Sequence, residues 1–422
     1  MEAWHDTEVG LSPEAIVLFG AVAVLAVTTV SGRLDRVWLT EPLVVTAIGV
    51  CAGIWVIGPV DMGSPLILML FELTLALVLF SDASRIDMSR LGDGYSWPLR
   101  MLAIGLPVGI LVGTVLFGWI LGVPVGVALL LGAILAPTDP ALAEPVLVSD
   151  VVPARVRQAI NVESGLNDGL VVPVLLIAIG VIDASEGSGV AAGSRLVLSQ
   201  IGIGILGGVG VGWMGAKLIA RGTEAGWMNP LHQRIAAVVL ALGCFAGVQL
   251  IGGSGFVATF MAGGLVSHLI RHRREYLYEF VEEEGHTLVL VALLIFGVGP
   301  AADLLQRGVP VEAMAVAAAS LMVVRPLAIW ISLVGQGLNR RTVACLGWFG
   351  PRGLATIVFL LVAARQLDAI DQIVIDTVTS TVLASIFVHG VSAYPLSRWL
   401  AEMPLTEDMP EMGEAYDHPM RR

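Results

Sequence analysis

Charge is what this sequence is shortest of. Asp, Glu, Lys and Arg make up 14% of its 422 residues, against about 25% in a water-soluble domain, too little to cover a water-facing surface. Lysine is nearly missing: Lys217 stands alone against 22 arginines, a bias that fits genome composition better than mechanism. Cysteine is scarce too. Cys51, Cys244 and Cys345 all fall in apolar stretches, which argues against a disulfide framework or a thiolate metal site and predicts small core residues. The first ten residues hold Glu2, Asp6 and Glu8 but no Lys or Arg. A secretory signal needs a basic start, so the first apolar run is expected to be retained. The net charge of −12 is spread over loops and tail and points to no nucleic-acid partner.

What the chain has in excess is apolar length. Hydrophobic residues make up 56% and the mean hydropathy is +0.85. Apolar runs recur from Pro13 to Leu400, each of roughly 18–25 residues and so long enough to cross the ~30 Å hydrocarbon layer. Thirteen spans are predicted, starting near Pro13, Pro42, Ser64, Trp97, Val123, Arg157, Leu196, His232, Gly252, Leu288, Pro310, Thr342 and Gln372. The breaks between them are too short for a soluble domain. The expected organisation is one membrane transporter domain, residues 1–402, with a short tail, 403–422. Of the 23 basic residues, 17 lie in alternate loops and the tail, three in the opposite loops (Arg195, Arg307, Arg365) and three within spans (Arg100, Arg325, Arg352). Basic residues favour the cytoplasmic side, which predicts the N-terminus outside and the tail in the cytoplasm.

Two spans are interrupted. The fifth reads Gly132-Ala-Ile-Leu-Ala-Pro-Thr-Asp-Pro-Ala-Leu-Ala-Glu-Pro145. Pro137 and Pro140 each remove a backbone donor and clash with the preceding turn, so the helix should open around Asp139. The twelfth reads Gly347-Trp-Phe-Gly-Pro-Arg-Gly-Leu354, with Arg352 inside the break. In lipid, such breaks persist only where protein buries them or a cavity hydrates them. Spans five and twelve run in opposite directions, seven spans apart. That matches inverted repeats, approximately residues 13–183 and 232–401, each with one broken helix, the arrangement that marks a transporter's binding site.

Ionisable groups at mid-membrane are costly unless paired or hydrated, and so are functional suspects. The sixth span carries Asn161-Val-Glu-Ser-Gly-Leu-Asn-Asp-Gly169. At helical spacing Glu163 and Asn167 share one stripe, and Ser164 and Asp168 a neighbouring one. Asp168 and Ser164, with Asp139, Thr138 and carbonyls freed by the fifth span's break, could supply the oxygens that a hard cation wants. Two neighbouring carboxylates in a low dielectric cannot both stay charged without a counter-ion. A cation and a proton therefore compete for them, and competition with alternating access is antiport. Arg325, deep in span eleven, demands a carboxylate, and Glu163 is the partner expected. Arg352 is expected to compensate carbonyl ends and carboxylates at the breaks.

Pro137-Thr-Asp-Pro140, Glu163-Ser-Gly-Leu-Asn-Asp168, Gly350-Pro-Arg-Gly353 and Gly253-Ser-Gly-Phe-Val-Ala-Thr-Phe-Met-Ala-Gly263 resemble signature stretches of the NhaP/NHE sodium/proton antiporters, the monovalent cation:proton antiporter-1 family. The resemblance covers nearly the whole chain. It implies an all-α polytopic membrane protein of about thirteen helices, with inverted repeats and crossed discontinuous helices. It also implies a homodimer with core and dimerisation domains in the cell membrane, no cofactor, and a part in pH and sodium homeostasis. By the resemblance, Asp168 carries Na⁺ and H⁺ in turn, with Ser164, Thr138 and Asp139 as ligands of the transported ion. Glu163 and Arg325 would form a structural pair and Asn167 would hold the broken helix. The Asn167–Asp168 pair is similar to members that exchange one ion for one proton.

One departure stands out. Many members have a glutamate directly after Leu-Phe in span three, whereas Leu79-Phe80-Ser81-Asp82 places the acid one residue later. Asp82 reads either as a gate at an access funnel or as a solvated helix end. Glu72 lies mid-span without a role. Residues 271–286, from Arg271-His-Arg-Arg274 to Glu282-Glu-Glu-Gly-His286, read as a solvated cytoplasmic loop, with pH sensing as the alternative. Span seven's seven glycines, Gly202 to Gly215, point to close helix packing. An intramembrane aspartyl protease would want Tyr-Asp and Gly-x-Gly-Asp, absent around Asp139 and Asp168, and a cation channel would want an open filter. The expected activity is Na⁺(Li⁺)/H⁺ exchange, with K⁺/H⁺ as the alternative.

Overall fold

The computed structural model of the chain describes residues 13–34, 39–58, 60, 62–85, 96–147, 149, 151–184, 190–270, 274–367, 369–402 and 409–412. Among these the only extended regular structure is helical, with no strand. The helices are α1 (Pro13–Leu34), α2 (Glu41–Ala52), α3 (Pro65–Arg85), α4 (Ser96–Leu121), α5 (Val125–Ile134), α6 (Ala154–Asp183), α7 (Val190–Glu224), α8 (Pro230–Leu250), α9 (Gly255–Leu269), α10 (Arg274–Phe296, continuing to Arg307), α11 (Val311–Leu333), α12 (Arg340–Trp348), α13 (Leu354–Gln366) and α14 (Gln372–Ala401). Among the described residues eight helices are long and apolar enough to cross a bilayer, and five shorter apolar ones accompany them. They fall on the thirteen predicted spans, the twelfth being split into α12 and α13.

Prolines shape the helices. π-Helical turns at Met101–Gly105, Gly297–Ala301 and Ser320–Val324 lie beside or around Pro107, Pro300 and Pro326. A mid-helix proline cannot donate to the carbonyl four residues back and its ring crowds that turn, and a wider turn relieves the clash. The turn at 320–324 comes directly before Arg325 and sets where that guanidinium points. Arg100 ends up at the foot of α11: its Nε donates to the Ser332 carbonyl at 2.7 Å and its Nη2 to the Val334 carbonyl at 3.2 Å. The last carbonyls of a helix have no partner within the helix, and a cation is well placed there.

The chain divides into two compact units. The first comprises Met1–Leu68, Gly94–Ser164 and Leu290–Arg422; the second Met69–Asp93 and Gly165–Val289. In the first, Trp97, Met101, Val156, Ile160, Phe349 and Leu400 share one apolar core, and Ala23, Val27, Val45, Leu290 and Leu294 another. In the second, Phe80, Ala216, Ala241, Cys244, Ala258 and Ala262 form the core. There α7 lies against α9 so closely that a Cβ at Gly208 would sit 2.8 Å from the Ala258 Cα, and one at Gly212 2.8 Å from the Ala262 Cα. Five of span seven's glycines, Gly204, Gly207, Gly208, Gly212 and Gly215, therefore sit at close packing contacts, as small residues do in membrane helices, while Gly202 and Gly210 face open space.

Two expectations change. Cys244 and Cys345 are buried, but Cys51 is exposed on α2 and is not a core residue, because an outward face in lipid can be as apolar as a core. Residues 274–286 are not a loop: α10 is helical from Arg274, and residues 271–273 fall outside the described set. Of the tail, residues 409–412 are described. Its turn Pro410–Met412 buries Glu411, whose Oε1 accepts from the Asn339 N–H and the Thr342 hydroxyl, each at 2.8 Å.

Candidate functional site

The site grows from the two breaks. α5 is ten residues long, about 15 Å at 1.5 Å per residue and half the hydrocarbon thickness. It ends at Ile134, and the chain runs non-helically to a 3₁₀ turn at Pro140–Ala143. α12 ends at Trp348, and α13 begins at Leu354. The two non-helical segments meet within the first unit: the Asp139 N–H donates to the Pro351 carbonyl at 2.8 Å.

Asp139 ties the breaks together. Its Oδ1 accepts from the Ala141 N–H at 3.0 Å and its Oδ2 from the Leu354 N–H at 2.9 Å. One carboxylate thus caps both the 3₁₀ turn and α13, as an acceptor does at a helix start. Gly353 makes this possible, since a Cβ there would run into the Asp139 carboxylate. Arg352 is 2% exposed, and its Nη1 donates to the Pro137 carbonyl at 3.1 Å and the Gly350 carbonyl at 2.8 Å. It satisfies carbonyls that each break sets free.

α6 brings the next layer. Arg325 donates to Glu163 through Nη1–Oε1 at 2.7 Å and Nη2–Oε2 at 2.9 Å, the two residues being 7% and 1% exposed. This is the fork-on-carboxylate geometry that holds charge most firmly out of water. The Thr138 hydroxyl lies 2.9 Å from the Ser164 hydroxyl and 3.3 Å from Glu163 Oε2. Thr138, Asp139, Glu163, Ser164, Arg325 and Arg352 therefore form one connected polar cluster in the first unit.

Further along α6, in the second unit, Asn167 and Asp168 are 0% and 3% exposed. Asp168 falls one helical turn beyond Ser164. Asp82 is 6% exposed, which does not fit a solvated helix end, and a Cβ at Gly165 would come 3.2 Å from its own Cβ. Glu72 is also buried. Among the described residues no three of His, Cys, Asp and Glu come together as metal ligands. A cation here would rely on hydroxyl and carbonyl oxygens around a carboxylate, a donor set suited to a hard ion.

The sequence reasoning missed what surrounds the breaks. Ser385 and His389 of α14 bond to the twelfth-span break, and the only signal was their spacing with Ser392 along one stripe. It missed Asp376, which accepts from Arg307 at 2.9 Å and from the Gln372 amide at 2.9 Å.

A family model described as "Sodium/hydrogen exchanger, transmembrane" matches residues 20–399. The chain is 27% identical over 394 residues to a K⁺/H⁺ antiporter NhaP from Alkalimonas amylolytica, covering 91% of this chain and 66% of that one. It is 28% identical over 349 residues to a Na⁺/H⁺ antiporter NhaP from Pseudomonas aeruginosa, covering 77% and 79%. The solved structure of the sodium proton antiporter MjNhaP1 from Methanocaldococcus jannaschii matches with a TM-score of 0.72 at 19% identity, covering 92% of this chain and 99% of that one. The chain thus has that fold, and it spans about two thirds of the length of the Alkalimonas relative.

Proposed function

The chain belongs to the sodium/hydrogen exchanger family, and on that premise we propose that it exchanges Na⁺ or Li⁺ for H⁺, one for one, by alternating access. Asp168 is the carrier. Buried at 3% exposure in a membrane-spanning helix, its negative charge needs either a cation or a proton, and holding one displaces the other. Ser164 and Thr138, with carbonyls at the breaks, complete the cation's shell. Asp139, whose oxygens cap two helices, adds negative charge to the field there. Glu163 and Arg325 fix the cluster, Asn167 steadies the neighbouring backbone, and Asp82 draws cations toward α6.

The observation that carries this reading is the linkage of both helix breaks to α6 through Asp139–Leu354 and Thr138–Ser164. K⁺ is the second reading, favoured by the K⁺/H⁺ naming of the Alkalimonas relative. The protein would work as a homodimer in the cell membrane, its N-terminus outside and its tail cytoplasmic. It would serve pH and sodium homeostasis without a cofactor.

The test is proton flux in proteoliposomes holding a pH-sensitive dye, with Na⁺, Li⁺ or K⁺ added in turn. Voltage is clamped by valinomycin and matched K⁺ during the Na⁺ and Li⁺ additions. Cation-triggered proton movement that ignores the clamp is the expected result. Silence toward all three ions would overturn the activity.

A further inference from the structure

Breaking a helix inside a bilayer frees backbone donors and acceptors that lipid cannot satisfy. At the twelfth-span break, two of these groups are held by α14 through a stripe of side chains, all in the first unit. The Arg352 N–H donates to the Ser385 hydroxyl oxygen at 2.6 Å. That hydroxyl lies 3.2 Å from His389 Nδ1, and His389 Nε2 lies 2.9 Å from the Trp348 carbonyl. The imidazole also sits 5.7 Å, centroid to centroid, from the Trp348 ring, whose Nε1 donates to the Ser392 hydroxyl at 2.9 Å. Ser385, His389 and Ser392 are four and three residues apart, one face of a helix.

Which way the hydrogens run depends on the His389 tautomer. Ser385 Oγ accepts from Arg352, so its own hydrogen is free to go to Nδ1. Nδ1 also lies 2.9 Å from the Ser385 carbonyl, so both ring nitrogens face a carbonyl and a neutral ring has one proton to give. With that proton on Nε2 the ring donates to Trp348 and accepts from the Ser385 hydroxyl, the tautomer that bracketing the break requires. In that tautomer His389 holds the last residue of α12 and, through Ser385, the residue two before α13. The span it fixes includes Pro351, whose carbonyl accepts the Asp139 N–H, and Asp139 is bonded in sequence to Thr138.

We propose that His389 is a positioning residue for exchange: by bracketing residues 348–352 it sets where Thr138 meets the transported cation. The proposal rests on the exchange activity above for its kinetic arm and on the structure alone for its second arm. In His389→Phe the ring volume stays and both bonds go. The apparent KM for the driving cation should rise about tenfold while maximal flux stays within about threefold, because about 1.4 kcal/mol of lost positioning is one decade in binding. In His389→Gln, which keeps a donor toward Trp348, most of the affinity should return.

The second arm is amide hydrogen exchange. Protection of the Arg352 N–H should fall in His389→Phe and in Ser385→Ala and recover in His389→Gln, with the rest of α14 unchanged. Unaltered protection at Arg352 in His389→Phe would overturn the proposal. So would a general loss of thermal stability that His389→Gln does not rescue, since that describes a folding role. If the unmodified protein moves no protons, the activity reading falls and the exchange arm still decides the positioning.

Discussion

A guanidinium and a carboxylate as buried as Arg325 and Glu163 each cost several kcal/mol to desolvate, and only their mutual geometry repays it. Removing one partner is therefore much worse than removing both. Glu163→Gln should destabilise the protein by about 3–5 kcal/mol, seen as a lower melting temperature in detergent. Glu163→Leu with Arg325→Met should melt closer to the unmodified protein than either single change. Additive effects would mean that the pair contributes no coupling. The two aspartates separate in the same way. Asp168→Asn keeps the volume and loses the charge, so exchange should drop to the level of empty liposomes with expression intact; normal flux would remove Asp168 from its role. Asp139→Asn keeps one acceptor oxygen and loses the other. It should cost about 0.5–2 kcal/mol, the worth of a helix cap, and retain measurable exchange. Flux as low as that of Asp168→Asn would make Asp139 a ligand of the ion. The Glu163–Arg325 pair was legible in the sequence because a buried arginine must find an acid and few acids lie mid-span. Asp139's capping was not, since it depends on Gly353 arriving from a segment more than two hundred residues away.

At the scale of the element, two kinds of signal proved readable. Apolar length gave the thirteen spans, and paired prolines and glycines gave the two breaks, because backbone that cannot hydrogen-bond within a helix is excluded from lipid. The π-helical turns of α4 and α11 were less legible. Pro107 and Pro326 announce a disturbance, but whether it becomes a kink, a break or a wider turn depends on neighbours. These turns fall in the fourth and eleventh spans, matching places in the inverted repeats expected from the sequence. The glycine face of α7 gives this scale its prediction. At Gly208 and Gly212 the α9 backbone comes so near that no rotamer of a larger residue avoids it. Gly208→Val or Gly212→Val should each cost at least about 1–3 kcal/mol, the usual penalty of overpacking. The same change at Gly210, which has open space around its Cβ position, should be close to neutral. Equal melting of all three variants would show that this face does not set the α7–α9 distance.

For the molecule as a whole, composition settled the solvent before any motif was read, and the tail shows where that kind of reading stops. In the polar stretch after the last span, Glu411 is 2% exposed. Its carboxylate takes the backbone N–H of Asn339, the residue that caps α12, and the hydroxyl of Thr342. Beside it the Pro410 carbonyl accepts from Arg155 Nη1 at 2.7 Å, and Arg155 stacks 4.3 Å over Trp97. The tail thus fastens the starts of α6 and α12, the helices that carry Glu163 and lead into the Arg352 break. No local pattern signals this, because Asn339 and Glu411 are brought together only by the fold. Glu411→Ala would leave the Asn339 N–H and the Thr342 hydroxyl without their acceptor, at about 1–3 kcal/mol for a buried group so stranded. The melting temperature should fall, and Glu411→Gln, which still offers one acceptor oxygen, should recover most of the loss. A Glu411→Ala protein that melts with the unmodified one would mean that the turn at 410–412 rests on this surface without holding it.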